Sequence, residues 1–111
     1  MFSVFNIAAG GLSAASARLS ITAGNIANMG SAGYKAREAN LTASLSGVAV
    51  TSISTDPTAG PTDENGQEGS NVDPVKEAVD LLLEKHQYAA NAQVIKAGNR
   101  MIGSLLDILA K

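Results

Sequence analysis

The sequence predicts a mainly α protein, in which long N- and C-terminal helices pair as a coiled coil around a short β-hairpin or loop in the middle. Three observations predict it. Phe5, Leu12, Leu19 and Ile26 recur at seven-residue spacing, and Leu81, Tyr88, Ile95, Ile102 and Leu109 repeat the pattern near the other end. Between them lies a stretch rich in Gly, Pro and acids that cannot belong to either helix. The chain therefore divides into a terminal helix over residues 1–30, an extended or loop segment over 31–70 with room for a hairpin, and a second terminal helix over 71–111.

The first helix is expected over residues 4–28. Its second heptad position, Ala8, Ala15, Thr22 and Met29, is mostly small, which lets a neighbouring helix approach closely. Gly10, Gly11 and Gly24 each weaken an isolated helix by about 1 kcal/mol relative to Ala, so this helix needs a partner to persist. The run "NMGSAGY" ends it, because Asn28, Gly30 and Gly33 tolerate the left-handed backbone that closes a helix. Residues 34–46 fit either a helix or an extended chain. "GVAVTSIS" (47–54) is rich in β-branched side chains and reads as a short strand or one arm of a hairpin. "TDPTAGPTDENGQEG" is turn chemistry, with Asn65-Gly66 a candidate tight turn. The second helix is announced by Asp73 as N-cap and Pro74 at its first position, and its pattern runs to about Leu109. Val94, Met101 and Ile108 broaden its apolar face towards the C-terminal end, which calls for more than one neighbour. At 1.5 Å per residue the two helices would be about 37 and 54 Å long, an elongated subunit.

Composition limits the function. The 111 residues include 11 Gly, two Phe, two Tyr, no Trp and no Cys, so large aromatic anchors, disulfides and thiolate sites do not hold the fold. The formal net charge of -2 gives no footprint for nucleic acid. Its distribution is uneven: residues 1–40 carry three bases and one acid, whereas Asp56, Asp63, Glu64 and Glu68 make the middle acidic and solvated. No run of 18 apolar residues exists and the first basic residue is Arg18, so neither a membrane span nor an ordinary secretory signal is expected. His86 has no second His or Cys near it and reads as a surface residue. Asp63 and Glu64 lack the spaced ligands of a calcium loop, and "GSAG" lacks the Lys-Ser/Thr pair of a phosphate loop. No nucleophile, base and orienting group can be assembled, so the expectation is no enzyme, no cofactor and no metal.

Both ends carry a resemblance. "GGLSAASARLSITAGNIANMGSAGYKARE" resembles the N-terminal motif of the bacterial flagellar rod and hook family of axial proteins, in which a Leu-Ser-Ala helix runs into Asn-Ile-Ala-Asn and Gly-Tyr-Lys. "SNVDPVKEAVDLLLEKHQYAANAQVIKAGNRMIGSLLDILAK" resembles its C-terminal motif, opened by Asn-Val-Asp with Tyr-x-Ala-Asn in the middle. The turn "DPTAGPTDENG" before "SNVDPVKE" is most similar to the small proximal rod members, which have no large inserted domain. The resemblance implies a structural subunit of the basal-body rod. It would be exported by the flagellar type III apparatus and assemble with copies of itself and with other rod proteins into the tube between motor and hook. It implies that Phe5, Leu12, Leu19, Ile26, Leu81, Tyr88, Ile95, Ile102 and Leu109 form the helix–helix assembly seams. Asn25, Asn28, Gly33, Tyr34, Lys35 and Arg37 would lie at an intersubunit contact where the chain turns outward. The rival reading is a soluble two-helix adaptor, which needs one contact face where a rod subunit needs several. Direct membrane binding is disfavoured by the single Arg of the first helix.

Overall fold

The computed structural model describes the backbone of residues 2–110 and the side chains of residues 3–110; Met1 and Lys111, the outermost residues of the two predicted terminal segments, lie outside the described residues. The element order is α1 (Phe2–Ala27), β1 (Arg37–Ser44), β2 (Gly47–Thr55) and α2 (Pro74–Leu109). The molecule is a rod measuring 77 × 22 × 14 Å.

Helix α2 starts as its sequence dictates. Asp73 is extended (φ -92°, ψ 110°), and its carboxylate accepts from the backbone N–H of Val75 at 3.0 Å and of Lys76 at 3.3 Å, while Pro74 occupies the first turn. Helix α1 ends in a series of short turns. The backbone and side-chain amides of Asn28 both donate to the Gly24 carbonyl, Ser31 N–H donates to Asn28 O, and Gly33 takes φ +69°, which a side chain would oppose.

Residues 34–46, which the sequence left undecided, run extended and supply β1. It pairs antiparallel with β2 from Arg37↔Thr55 to Ser44↔Gly47, with a bulge after Asn40, across a two-residue turn at Leu45-Ser46. The hairpin doubles back along α1, so that Gly47 and Val48 lie beside Ile7 and Gly10, while Arg37 and Ile53 lie near Gly24. Its strands are exposed apart from Ala39, Gly47 and Val50.

The acidic loop is more ordered than turn composition alone implies. Thr62 and Glu68 form a bridge, Asp63 N–H donates to Gln67 O at 2.9 Å, and Gly66 (φ +81°) donates to Asp63 O at 3.0 Å, closing a small second hairpin at the expected Asn65-Gly66 turn.

The helices lie antiparallel. Phe5 stacks at Gly98, Gly11 meets Asn91, Arg18 meets Gln87, Thr22 meets Glu84 and Asn25 meets Glu77. The closest line of approach is therefore Ala8, Ala15 and Thr22 on α1 against Glu77, Glu84 and Gly98 on α2, all buried, with half-buried Asn91 in the same row. The large apolar heptad of α1 does not occupy this line. Small side chains allow the two backbones to close, and the bulkier Leu12, Leu19 and Ile26 are displaced to half-buried flanks.

The glycines give a test of opposite signs. Gly24, in the last turn of α1 with open space around a would-be Cβ, gains up to about 1 kcal/mol of unfolding free energy as Gly24→Ala. In Gly60→Ala the new methyl collides with the backbone carbonyl of Gly69, costing about 1–3 kcal/mol. Denaturant unfolding followed by circular dichroism reads both.

Candidate assembly interface

One residue ties the elements together. Asn25, on the last turns of α1, is only 1% exposed. Its Nδ2 donates to Arg37 O at 2.8 Å and to Glu77 Oε1 at 3.1 Å, and its Oδ1 accepts from Arg37 N–H at 3.0 Å and from the Tyr34 hydroxyl at 3.1 Å. A primary amide has two donors and a two-lone-pair acceptor, and all are used. The side chain thereby reads both polar backbone groups of Arg37, where β1 begins, and couples them to α2.

A second asparagine repeats the device from the other side. Asn71, just before α2, accepts from Ala36 N–H at 2.6 Å and donates to Asp56 O at 3.0 Å and Thr58 O at 2.8 Å, while its own N–H donates to Tyr34 O at 3.1 Å. Lys35 closes the joint by pairing with Glu68 and donating to Thr58 O at 3.1 Å. Glu68 also accepts from Gly60 N–H at 3.0 Å. The Lys35 hydrogen bond, with help from that N–H, holds the Glu68 carboxyl below its ordinary range.

The residues predicted to contact a neighbour are thus gathered into one intramolecular joint. Asn25 is buried and its hydrogen-bonding groups are used within the chain. Asn28, Tyr34 and Lys35 are half-buried within the joint, whereas Gly33 and Arg37 are exposed. Asn71 is the Asn of the Asn-Val-Asp that opens α2, a motif read in the sequence without a role for this side chain.

Along the helix pair the buried side chains are small or polar. Thr22 Oγ1 lies 2.8 and 3.0 Å from the two carboxylate oxygens of Glu84, which is 2% exposed, and Arg18 donates to Gln87 Oε1 at 2.7 Å. Burial raises the Glu84 carboxyl above the ordinary value of 4.5, with Asp80 and Glu77 adding to the effect, against the Thr22 hydrogen bond and the Arg18 charge that lower it. The strict heptad Glu77-Glu84-Asn91-Gly98 was visible in the sequence, but a search for apolar heptads passes over it.

The large apolar side chains face outward. Val75, Val79, Leu82 and Leu83 are exposed on the first half of α2, and Met101, Leu105, Leu106 and Ile108 on the second, ending at Leu109, which is 80% exposed. Of the predicted assembly residues, Leu81, Tyr88 and Leu109 are exposed, and Phe5, Leu12, Leu19, Ile26, Ile95 and Ile102 are half-buried. Past the Phe5–Gly98 contact the helix continues to Leu109, and Leu105, Leu106, Ile108 and Leu109 are exposed among the described residues.

Such a molecule is a structural subunit whose unsatisfied surface is apolar and whose interior is a hydrogen-bonded joint. The comparisons agree. A family model described as Flagella basal body rod protein matches residues 5–35, and one described as Flagellar basal body rod FlgEFG protein C-terminal matches residues 65–108. The flagellar basal-body rod protein FlgG of Agrobacterium fabrum (strain C58 / ATCC 33970) is 37% identical over 83 residues, covering 73% of this chain and 31% of that relative. The chain belongs to the flagellar basal-body rod protein family, and its place is the basal body of the flagellum. No described helix is long and apolar enough to cross a membrane.

Two outcomes follow from the joint and the polar seam. Asn25→Ala leaves buried partners on Arg37 and Glu77 unmatched and lowers stability by about 1–3 kcal/mol for each group so stranded, with loss of amide-exchange protection at Arg37. For Glu84, a raised carboxyl pKa means the folded chain holds the proton more tightly than the unfolded one. Ionisation therefore opposes folding above that pKa, and the penalty is relieved as pH falls through it towards 4.5. Glu84→Gln is accordingly at least as stable as the parent at neutral pH. Any advantage fades on acidification, as read by thermal melts across the acid range.

Proposed function

We propose that this chain is a self-assembling subunit of the flagellar rod, packing through its terminal helices against copies of itself and other rod proteins to form a tube that transmits torque from motor to hook. The observation that carries this reading is the inversion of the helix pair: small and polar side chains inside, and large apolar side chains exposed along both halves of α2. Exposed apolar area of this extent in a soluble chain is a docking surface. Its spread along both halves of α2 and onto Val4 and Ile7 of α1 supplies several faces, as a tube requires and an adaptor does not. The work is mechanical, with no catalytic step.

The finer assignments rest on the motifs. Type III export is carried by the family resemblance. Between the two family segments the chain holds a single hairpin and one short loop and no inserted domain, which favours a small proximal, FlgC-like member. Within the tube, exposed Arg37 and the half-buried faces of Tyr34 and Lys35 are the parts of the joint placed to touch a neighbour, with Tyr34 an amphipathic anchor of the kind enriched at interfaces.

The test separates folding from assembly. Leu82→Asp and Leu106→Asp alter exposed positions and change the stability of the free subunit by no more than about 0.5 kcal/mol. Each nevertheless removes the chain from purified basal bodies, detected by mass spectrometry, and abolishes swimming. Normal incorporation and motility of both variants would overturn the proposal.

A further inference from the structure

The acidic loop contains a site that the assembly reading does not use. We infer that Asn65 is a self-modifying residue, converting through a cyclic imide with Gly66 to aspartyl and isoaspartyl forms at a rate set by this turn. The chain contains Asn6, Asn25, Asn28, Asn40, Asn65, Asn71, Asn91 and Asn99, and Asn65 alone is followed by Gly. A glycine nitrogen has no neighbouring Cβ to obstruct its approach to the asparagine side chain, and glycine's backbone is free to turn for ring closure.

The surroundings separate Asn65 further from the rest. The side chains of Asn25, Asn28, Asn40, Asn71 and Asn91 are engaged in hydrogen bonds, and Asn6 and Asn99 sit in helices, where the backbone is fixed. Asn65 is exposed at the tip of the Thr62–Glu68 bridge. Only its backbone is held: its N–H donates to Asp63 Oδ1 at 2.9 Å, leaving the side-chain amide in solvent. The N–H of Gly66 donates to Asp63 O at 3.0 Å, a single exposed bond that must open before attack.

The chemistry needs only water. Gly66 N, deprotonated by solvent base, attacks Asn65 Cγ; the N–Cγ bond forms, the Cγ–Nδ2 bond breaks, and the side-chain nitrogen takes up a proton and leaves as ammonia. Water then opens the five-membered imide. Cleavage at the Cγ carbonyl gives aspartate, and cleavage at the main-chain carbonyl gives isoaspartate, whose backbone is one methylene longer. Both products add a negative charge to a loop that already carries Asp63, Glu64 and Glu68 and no base. The isoaspartyl form also breaks the register of the Thr62–Glu68 bridge, through which Glu68 reaches Lys35.

The experiment is incubation of the full folded chain in mildly alkaline buffer at physiological temperature. Peptide mapping by mass spectrometry and methylation by isoaspartyl methyltransferase as the probe follow the products, with Asn65→Gln and a urea-unfolded sample alongside. Expected is conversion at Asn65 on the order of tenfold faster than at any other asparagine, the factor given by a barrier difference of about 1.4 kcal/mol. Methyl acceptance should be absent in Asn65→Gln. The inference is overturned if another asparagine converts first, or if Asn65 converts only in the unfolded sample.

Discussion

The four hydrogen bonds of Asn25 join the end of α1 to the start of β1 and to α2, and the rest of the structure is arranged around that joint. A helix of 26 residues can be followed by a strand in many directions, and the light packing of a largely exposed two-stranded hairpin on α1 chooses one only weakly. The buried amide chooses it by engaging both the N–H and the C=O of Arg37. Tyr34 braces the amide oxygen, and Glu77 shares the amide nitrogen, so the same side chain also fixes the register of α2 against α1. Asn71 and the Lys35–Glu68 pair complete the clamp from the loop side. A joint of this kind is costly when half satisfied and specific when complete, because each unmatched buried polar group weighs about 1–3 kcal/mol. The described residues contain no buried side-chain polar atom without a partner.

The helix pair follows the same logic. A pair built for its own stability would place Leu and Ile at the centre. Here Ala8, Ala15 and Thr22 meet Glu77, Glu84 and Gly98, so the seam supplies register more than affinity, and Glu84 is buried with its carboxyl pushed up by the loss of water. The large apolar residues of α2 are left outside. That division fixes the subunit's geometry from within by hydrogen bonds and leaves a set of large apolar side chains exposed on α2.

Much of the fold could be read from the sequence, and the reasons differ by element. The start of α2 was readable because Asp73-Pro74 is a local signal that depends on nothing distant. The end of α1 was readable from Asn28, Gly30 and Gly33 for the same reason. The hairpin was half readable: β-branched 47–54 announced β2, but "REANLTAS" has no such enrichment and becomes β1 only because Asn25 and β2 hold it. Heptad spacing marked an apolar face on each helix. It could not say which face meets which, because periodicity ranks positions by hydrophobicity, whereas an intimate helix crossing is selected by side-chain size. The burial of Asn25 and its full set of partners within the chain had no signal in the periodicity.

The central claim is that the polar seam is closed within each subunit while the outer face of α2 is closed only by other subunits. Because the chain has no cysteine, single substitutions report accessibility without background. The direct measurement is maleimide labelling of Leu82→Cys and Ala15→Cys, each in the free chain and in purified basal bodies. The account predicts that Ala15→Cys is protected in both states, and that Leu82→Cys reacts in the free chain and becomes protected on assembly. Equal labelling of Leu82→Cys before and after incorporation would contradict it.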